Sequence, residues 1–346
     1  MRRPRIKAEG AGYYHCMTRI IERRQIFGHP EKKRFLTLMR NLAAFSGLEV
    51  LTYCLLDNHA HVLVHVPVRR ELSDQELLDR LRYLHTRQQV ELIALQLQDF
   101  RREGQDQAAE SLKARFTYRM YDISEFFKAL KQRFSQFYNT REGRSGPLWE
   151  QRFKSILVER SEQALSTMAA YIDLNPVRAG LVSDPKEYRY SGYGEAMGGG
   201  TVAREGLRRL MQATRGSRVS WGRTQRAYRQ HLYVQGRRKG LDPHGHPVRQ
   251  GFTPEEVQKV LSAGGRLPLH ELLRCRVRYF SDGLALGSQA FLEPIFHRYR
   301  GHFGQKRQSG ARPMRYGLPR RSLAKPGDWG GLCTLRNLRL HAVSRC

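Results

Sequence analysis

Apolar and polar positions alternate over residues 13–20 (YYHCMTRI), a period of two that predicts a first strand. Pro30 stands where a helix can begin, and Phe35, Leu38, Met39, Leu42 and Phe45 then recur at helical spacing up to Gly47. Two short apolar runs follow, residues 51–56 and 62–66, separated by the polar pair Asp57 and Asn58. That pattern reads as two strands joined by a tight turn. The order strand, helix, strand, strand predicts a small antiparallel sheet backed by helices. From Ser73 to Met120 the chain is charged and helix-like, with Leu77, Leu78, Leu81 and Leu84 and then Val90, Ile93, Leu95 and Leu97. It is expected to be a helical insertion over about residues 73–122, drawn as a hairpin projecting from the domain.

Residues 124–139 predict a strongly amphipathic helix, with Ser124 as its N-cap and Phe127, Leu130, Phe134 and Phe137 or Tyr138 as one stripe. The basic, glycine-containing loop TREGRSGP comes next, followed by a strand at about 153–158. Residues 161–174 predict another helix with Leu165, Met168, Ala169 and Ile172 on its core face. Asn175 and Pro176 end it, because a residue before proline disfavours the helical region. The run of glycines at 198–200 marks a domain boundary. Beyond it, residues 204–239 are very basic and partly helical, and residues 252–261 and 267–274 predict short helices, the first with Thr253 and Glu256 as a capping box. Residues 291–303 suit one more helix, and the stretches from Gly304 and from Arg320 are basic with little periodicity. The expected organisation is thus a domain over 1–197 and a basic, mostly helical region over 201–346 with a DNA-binding role.

Composition changes this picture in one respect. Of the 346 residues 40% are hydrophobic, enough for a normal core. Lys and Arg number 61 against 32 Asp and Glu, a formal net charge of +29. Such an excess calls for a polyanionic partner, most simply nucleic acid. No apolar run reaches the roughly 18–20 residues of a membrane-spanning helix. The start, MRRPRIKAEGAGYYHC, lacks an apolar signal-peptide core, so the expected location is cytoplasmic. Its Arg2, Arg3, Arg5 and Lys7 read as a mobile basic arm able to touch phosphates. The five cysteines, at 16, 54, 275, 333 and 346, form no CxxC pair, and Cys16 and Cys54 suit buried thiols.

The candidate chemistry starts at His59 and His61, which open the second strand of the hairpin. Residues i and i+2 of a strand share a face, so both imidazoles project together and make half of a divalent metal site. Two histidines hydrogen-bonded on a half-buried sheet are the bland alternative. Tyr171 and Asn175 lie four apart and share a helix face. Two imidazoles and an amide oxygen suit Mg²⁺ or Mn²⁺, with positions left for phosphate oxygens. A tyrosine beside that ion is a candidate nucleophile toward phosphorus.

At this point the chain resembles a family. YYHCMTRI, YCLLDNHAHVLVHV, GRSGPLWEQRFKS and YIDLNPVRAGLV are similar to the corresponding motifs of the IS200-type single-tyrosine transposases of the HUH class, in the branch of REP-associated tyrosine transposases. The matching stretches span about residues 1–193. The resemblance implies a ferredoxin-like or RRM-like antiparallel sheet and usually a homodimer. It implies an enzyme that cuts single-stranded DNA beside hairpins, forms a 5′-phosphotyrosine, frees a 3′-OH and later rejoins strands. It places metal ligands on His59 and His61, the nucleophile on Tyr171 and a third ligand on Asn175, where many relatives outside the branch carry glutamine. The long insertion and the extension after Gly200 depart from the minimal family domain.

Tyr138 is the rival nucleophile, on an aromatic stripe that reads as core. Trp149 reads as a core anchor that has base stacking as its alternative. Arg144, Arg152 and Lys154 are candidate phosphate contacts. Arg178 is a candidate to steady the DNA backbone or to pair with a carboxylate. Two other functions compete with the enzyme. One is a domesticated protein that binds hairpin DNA without cutting it, which would need neither histidine nor tyrosine. The other is an RNA-binding RRM-like module, for which the paired exposed aromatics are missing.

Overall fold

The N-terminal alternation forms strand β1 (Gly12–Arg19), and the stripe after Pro30 forms helix α1 (His29–Ser46). Gly47 closes α1 in the left-handed conformation, at φ 68°, which glycine adopts without a Cβ clash. The hairpin follows as β2 (Glu49–Leu55) and β3 (His59–Val66), then, after the insertion, α5 (Ile123–Arg141) and β4 (Lys154–Val158). These elements pair antiparallel in the order β2-β3-β1-β4. Strand, helix, strand, strand, helix, strand with that order, and with both helices on one face, is the ferredoxin-like arrangement. The protein is therefore α+β, as expected. This computed structural model describes residues 5–216, 220–235, 239–241, 247–249, 255, 258, 278–315 and 328–337. Among them no helix is long and apolar enough to cross a membrane.

Alternation divides the sheet residues between two cores. Tyr14, Cys16, Val62 and Val64 face α1 and α5, where Phe35, Met39, Leu42, Phe127, Leu130 and Phe134 are buried. Tyr13, Leu63, Ile156 and Val158 face the opposite way, toward α6 (Glu162–Asp173), α9 (Thr201–Arg215) and α10 (Trp221–Gln235). Each fully buried Leu or Phe contributes about 2–3 kcal/mol. Leu165, Met168, Ala169 and Ile172 form the buried face of α6, as their spacing predicts.

Several expectations need correction. The N-cap of α5 is Asp122 rather than Ser124: its carboxylate accepts from the amides of Ser124 and Glu125, while the Ser124 hydroxyl accepts from Arg5. The insertion is three helices, α2 (Asp74–Leu81), α3 (Arg87–Arg102) and α4 (Asp106–Thr117), not a hairpin. Serine and threonine capping boxes start α2 and α3, and Leu77, Leu81, Val90 and Met120 build a small core of their own with Phe45 of α1, whereas Leu95 is exposed. The N-terminal arm is packed from Arg5 onward. Ile6 is buried, the Arg5 guanidinium stacks on Phe153 and hydrogen-bonds Ser155, Ser124 and the Phe153 carbonyl, and Lys7 pairs with Asp122. Arg2 and Arg3 lie outside the described residues.

After residue 200 the expected helices are joined by strands. β5 (Lys239–Leu241) and β6 (Pro247–Arg249) pair with each other. β7 (Ala285–Gly287), β8 (Arg312–Arg315) and β9 (Asp328–Leu335) extend the main sheet beyond β4 to the order β2-β3-β1-β4-β7-β9-β8, with β7 parallel to β4. Residues 291–303 are helical over Gln289–Arg298. Apart from residues 255 and 258, the expected helices at 252–261 and 267–274, with Thr253 and Glu256, lie outside the described residues, as do Cys275 and Cys346. Cys16 and Cys54 are buried free thiols, as expected, and Cys333 is a third.

One buried carboxylate ties these layers together. Asp173, at the end of α6, is fully buried and accepts hydrogen bonds from the Thr52 hydroxyl of β2 at 2.8 Å, the Tyr228 hydroxyl of α10 at 2.6 Å and the Tyr193 amide at 3.1 Å. Tyr193 lies in α8 (Gly192–Met197). Helix α9 reaches the same strand closely: a Cβ on Gly206 would lie 2.6 Å from the Val50 carbonyl oxygen and 2.7 Å from that of Leu51.

Two expectations follow for stability. Gly206→Ala gains helix propensity worth about 1 kcal/mol and still lowers stability by about 1–3 kcal/mol, because the backbone contact must open; chemical denaturation checks it. Burial, opposed by the three hydrogen-bonding partners, pushes the Asp173 carboxyl up from its ordinary 3.8 to about 6. A folded-state pKa above the unfolded one means that the native state holds the proton more tightly. Its stabilisation is present below pH ~4 and is lost as pH rises through ~6. Relative to Asp173→Asn, wild-type unfolding free energy should therefore fall by up to about 3 kcal/mol between these values and then level off.

Candidate active site

Strand β3 carries the two histidines because its alternation puts them on the Leu63 side of the sheet, under α6. His59 stands opposite Arg19 of β1, and His61 lies between Met17 of β1 and Cys54 of β2. Their ring centroids are 5.0 Å apart and the rings are nearly perpendicular. His59 is half-buried and His61 buried, with Ala60 turned to the other core. The expected pairing of the imidazoles on one face is thus present.

Helix α6 brings Tyr171 onto the same spot. Its ring centroid lies 5.7 Å from that of His61 and 5.9 Å from that of His15, edge-on to both. Phe280, in the helical turn Arg278–Ser281, stacks on the Tyr171 ring at 4.6 Å. The Arg178 guanidinium covers the ring at 4.5 Å, and its Nη2 donates to the Tyr171 carbonyl. Asn175 opens the short helix α7 (Asn175–Arg178) just past the end of α6. Its amide nitrogen donates to the carbonyls of Tyr171 at 3.1 Å and Ile172 at 3.2 Å, leaving the amide oxygen as the remaining polar atom.

The sequence reading gave no role to His15, Asn58 or Phe280. His15 is buried on β1, and its Nε2 lies 2.9 Å from Nδ1 of His61, the rings being stacked at 5.1 Å. The parity of His15 with Tyr13 was the available signal, but the register of β1 against β3 is needed to pair it with His61. The Nδ1 of His59 lies 2.6 Å from the Asn58 side-chain oxygen.

All three imidazoles are held neutral. Burial lowers His15 to about 4. Burial, then the Arg19 charge, lowers His59 to about 4 against the opposing pull of Asp57. His61 is lowered well below the usual imidazole range by burial first and then by His15, His59, Arg178 and Arg19. A neutral imidazole keeps a lone pair, which is the form that ligates metal. Among the described residues no group of three or more His, Cys, Asp or Glu side chains is placed to hold an ion. A metal here would therefore need a neutral oxygen to join the two imidazoles; the amide oxygen of Asn175 is of the right kind, and such a donor set suits Mg²⁺ or Mn²⁺ with other positions filled by phosphate or water.

The remaining candidates are distributed elsewhere. Tyr138 is buried on α5 across the sheet from the histidines, stacked on Phe134. Trp149 donates to Ser135 Oγ at 2.8 Å and packs against Phe27, Phe35 and Phe134 in that same core. Arg144 is half-buried beside the Tyr138 ring, and Lys154 pairs with Asp282 at 3.0 Å. Arg152 is exposed. Burial, then the charges of Arg152 and Arg5, lowers Lys131 to about 8.

Comparison with known proteins gives one family and a distant structural likeness. Residues 10–94 match the family model described as "Transposase IS200 like"; the match includes His15, His59 and His61 and stops before Tyr171. No curated protein matches the chain. A solved structure of a REP-associated tyrosine transposase bound to a REP hairpin aligns at 13% identity over 58% of this chain and 87% of its own, with a TM-score of 0.38. Residues 10–94, which hold the histidine cluster, are thus similar to the IS200-like transposases, the family that the sequence motifs resemble.

Proposed function

We propose that the protein is a metal-dependent single-stranded DNA transposase that cuts beside hairpin DNA with Tyr171 as nucleophile. The observation that carries this reading is the convergence of His59, His61 and Tyr171 on one side of the sheet, with ring centroids 5.0 and 5.7 Å apart. The match of residues 10–94 to IS200-like transposases supports the reaction class. The resemblance of the motifs to the REP-associated branch motivates the hairpin. In this reading residues 1–197 hold the chemical groups, and residues 201–346 wall the site through Phe280 and add basic surface.

The residues divide the work as follows. Arg178 steadies the nucleophile by covering the Tyr171 ring and donating to the Tyr171 carbonyl. The Tyr171 oxygen attacks phosphorus, the P–O3′ bond breaks, and the strand is left as a 5′-phosphotyrosine and a free 3′-OH. Attack of a 3′-OH on the phosphotyrosine reverses the step, joins strands and restores the phenol. His59, His61 and Asn175 would hold a Mg²⁺ or Mn²⁺ ion, whose contribution is to draw charge from the scissile phosphate. Phe280 and the packed face of α6 hold the nucleophilic ring in place.

Tyr171→Phe removes one oxygen and keeps the ring, so folding and hairpin binding should stay near wild type while cleavage and the covalent adduct disappear. Tyr138→Phe removes the same atom from the opposite core and should leave cleavage within a few-fold. A denaturing gel for the protein–DNA adduct, followed by peptide mapping, decides between them. An adduct lost in Tyr138→Phe and kept in Tyr171→Phe would move the active site, and a wild-type chain that binds hairpins without cutting would leave only a binding protein.

The net charge of +29 sets a second expectation. Binding to single-stranded DNA should weaken steeply with salt, each neutralised phosphate adding about −0.7 to the slope of log K against log salt. A nearly flat slope, read by fluorescence anisotropy, would mean that the basic excess does not serve nucleic acid.

A further inference from the structure

The end of strand β1 brings arginines to the histidine cluster that the chemistry above does not use. Parity places the Arg19 side chain with Tyr13 and His15 on the α6 side of the sheet. Arg19 is the cross-strand partner of His59. Directly opposite residues on one face have Cβ atoms about 5 Å apart. The Arg19 side chain thus rises beside the outer imidazole, while Tyr171 lies edge-on to His61 and His15 at the other end of the row.

Arg19 is half-buried, yet among the described residues its guanidinium makes no ion pair and no hydrogen bond. A partly desolvated cation without a counter-charge is costly unless a ligand supplies one. Asp57, in the turn before His59, is already taken by Lys32 at 2.6 Å.

Two more arginines stand in the turn that leaves β1. Arg23 and Arg24 are exposed, and among the described residues neither side chain has an ion pair or a hydrogen bond. Glu22, the acid of that turn, pairs with none of the three. The turn is strained, with Glu22 at φ 55° and Arg23 at φ 57°. Residues other than glycine seldom adopt this left-handed region, and surrounding bonds must hold them there. Those bonds are present. The Ile20 amide donates to the Asn58 carbonyl at 2.9 Å, the Ile21 amide to the Leu148 carbonyl at 3.0 Å, and the Glu150 amide to the Arg19 carbonyl at 3.0 Å. The Asn58 side-chain nitrogen donates to the Arg23 carbonyl at 3.1 Å. Asn58 immediately precedes His59, so the arginine turn and the outer imidazole are fixed to one another.

We propose that Arg19, Arg23 and Arg24 form a phosphate clamp that holds the backbone of single-stranded DNA at the His59 end of the site. Arg19 takes the phosphate nearest the imidazoles, and Arg23 and Arg24 take those that follow toward solvent. A guanidinium offers a planar fork of donors that matches two phosphate oxygens, and such contacts set the register of a strand without reading its bases. The purpose of holding the strand there rests on the function proposed above; the contact itself needs neither metal nor cutting.

The test follows binding of a fluorescein-labelled oligothymidylate by anisotropy across a salt series in EDTA, so that neither an ion nor cleavage enters. The full-length chains are wild type, Arg19→Gln, Arg19→Lys, the double variant Arg23→Gln with Arg24→Gln, and Arg115→Gln, each checked for folding by its melting transition. Arg115 is an exposed arginine of α4, in the insertion, and controls for loss of one positive charge. Each lost phosphate contact should make the slope of log K against log salt shallower by about 0.7. Arg19→Gln should therefore change the slope by about 0.7 and the double variant by about 1.4. Arg19→Lys keeps the charge and should keep the wild-type slope, and Arg115→Gln should match wild type. A wild-type slope in Arg19→Gln or in the double variant overturns the clamp, as does an equal change in Arg115→Gln, which would assign the effect to net charge alone. If Arg19→Gln does not fold, the exposed pair carries the test. Slopes that change as expected in a chain that never cuts hairpins uphold the clamp and overturn the transposase reading. Unchanged slopes in a chain that does cut overturn the clamp alone.

Discussion

Three imidazoles on the α6 side of the sheet set the terms for the whole site. A buried polar ring must find hydrogen-bonding partners or its burial is costly. His15, His61 and His59 meet this condition largely among themselves and Asn58, in the hydrogen bonds of 2.9 and 2.6 Å. The pairing of β1 with β3 is what allows it, since His15 and His61 sit on neighbouring strands and share a face. Helix α6 then closes over them, bringing Tyr171 edge-on to two of the rings. The position of α6 depends in turn on Asp173, which takes hydrogen bonds from β2, α8 and α10. The candidate chemistry and the packing of the helical layer are thus one problem, solved by two adjacent polar networks.

The sequence exposed those parts of the structure in which one local pattern decides the outcome. The period of two in β1 and β3 assigns their residues to two opposite faces, and the stripe of α1 and the apolar face of α6 follow from helical spacing alone; each is present as expected. His59, His61 and Tyr171 could be singled out for the same reason: strand and helix periods fix their directions. What escaped depends on partners distant in sequence. Ser124 and Asp122 are both good caps, and the choice between them turns on Arg5, whose guanidinium engages the Ser124 hydroxyl. His15 acquires meaning only through the register of β1 against β3. Strands as short as β7, three residues ending in glycine, carry no readable period, and they form because β4 offers an edge.

The insertion shows the opposite balance. Its helices α2 and α3 begin at capping boxes visible in the sequence, and Leu77, Leu81 and Val90 bury themselves in a local cluster. Phe45 of α1 joins that cluster from the main layer, and Tyr121 packs against both. Its helices lie in the chain between β3 and α5 and leave the strand order of the ferredoxin-like unit unchanged. The segment after residue 200 is integrated differently: α9 and α10 cover the second core, and the turn at Phe280 forms part of the wall around Tyr171.

The parallel pairing of β7 with β4 also bears on assembly geometry. In a four-stranded ferredoxin-like unit β4 is an edge, with a free row of amides and carbonyls on which a second copy can template. Here Leu157 and Val158 are paired to Ala285 and Leu286, so that row is already satisfied within the chain. The outer strand on that side is β8, and Pro313 within it lacks an amide to donate. At the other end the β2 edge is partly engaged by the chain itself, through the amide of Leu55 and the carbonyl of Tyr190. Continuous sheet formation between two copies is thus closed at β4, and any backbone pairing would have to use the β2 or β8 edge instead.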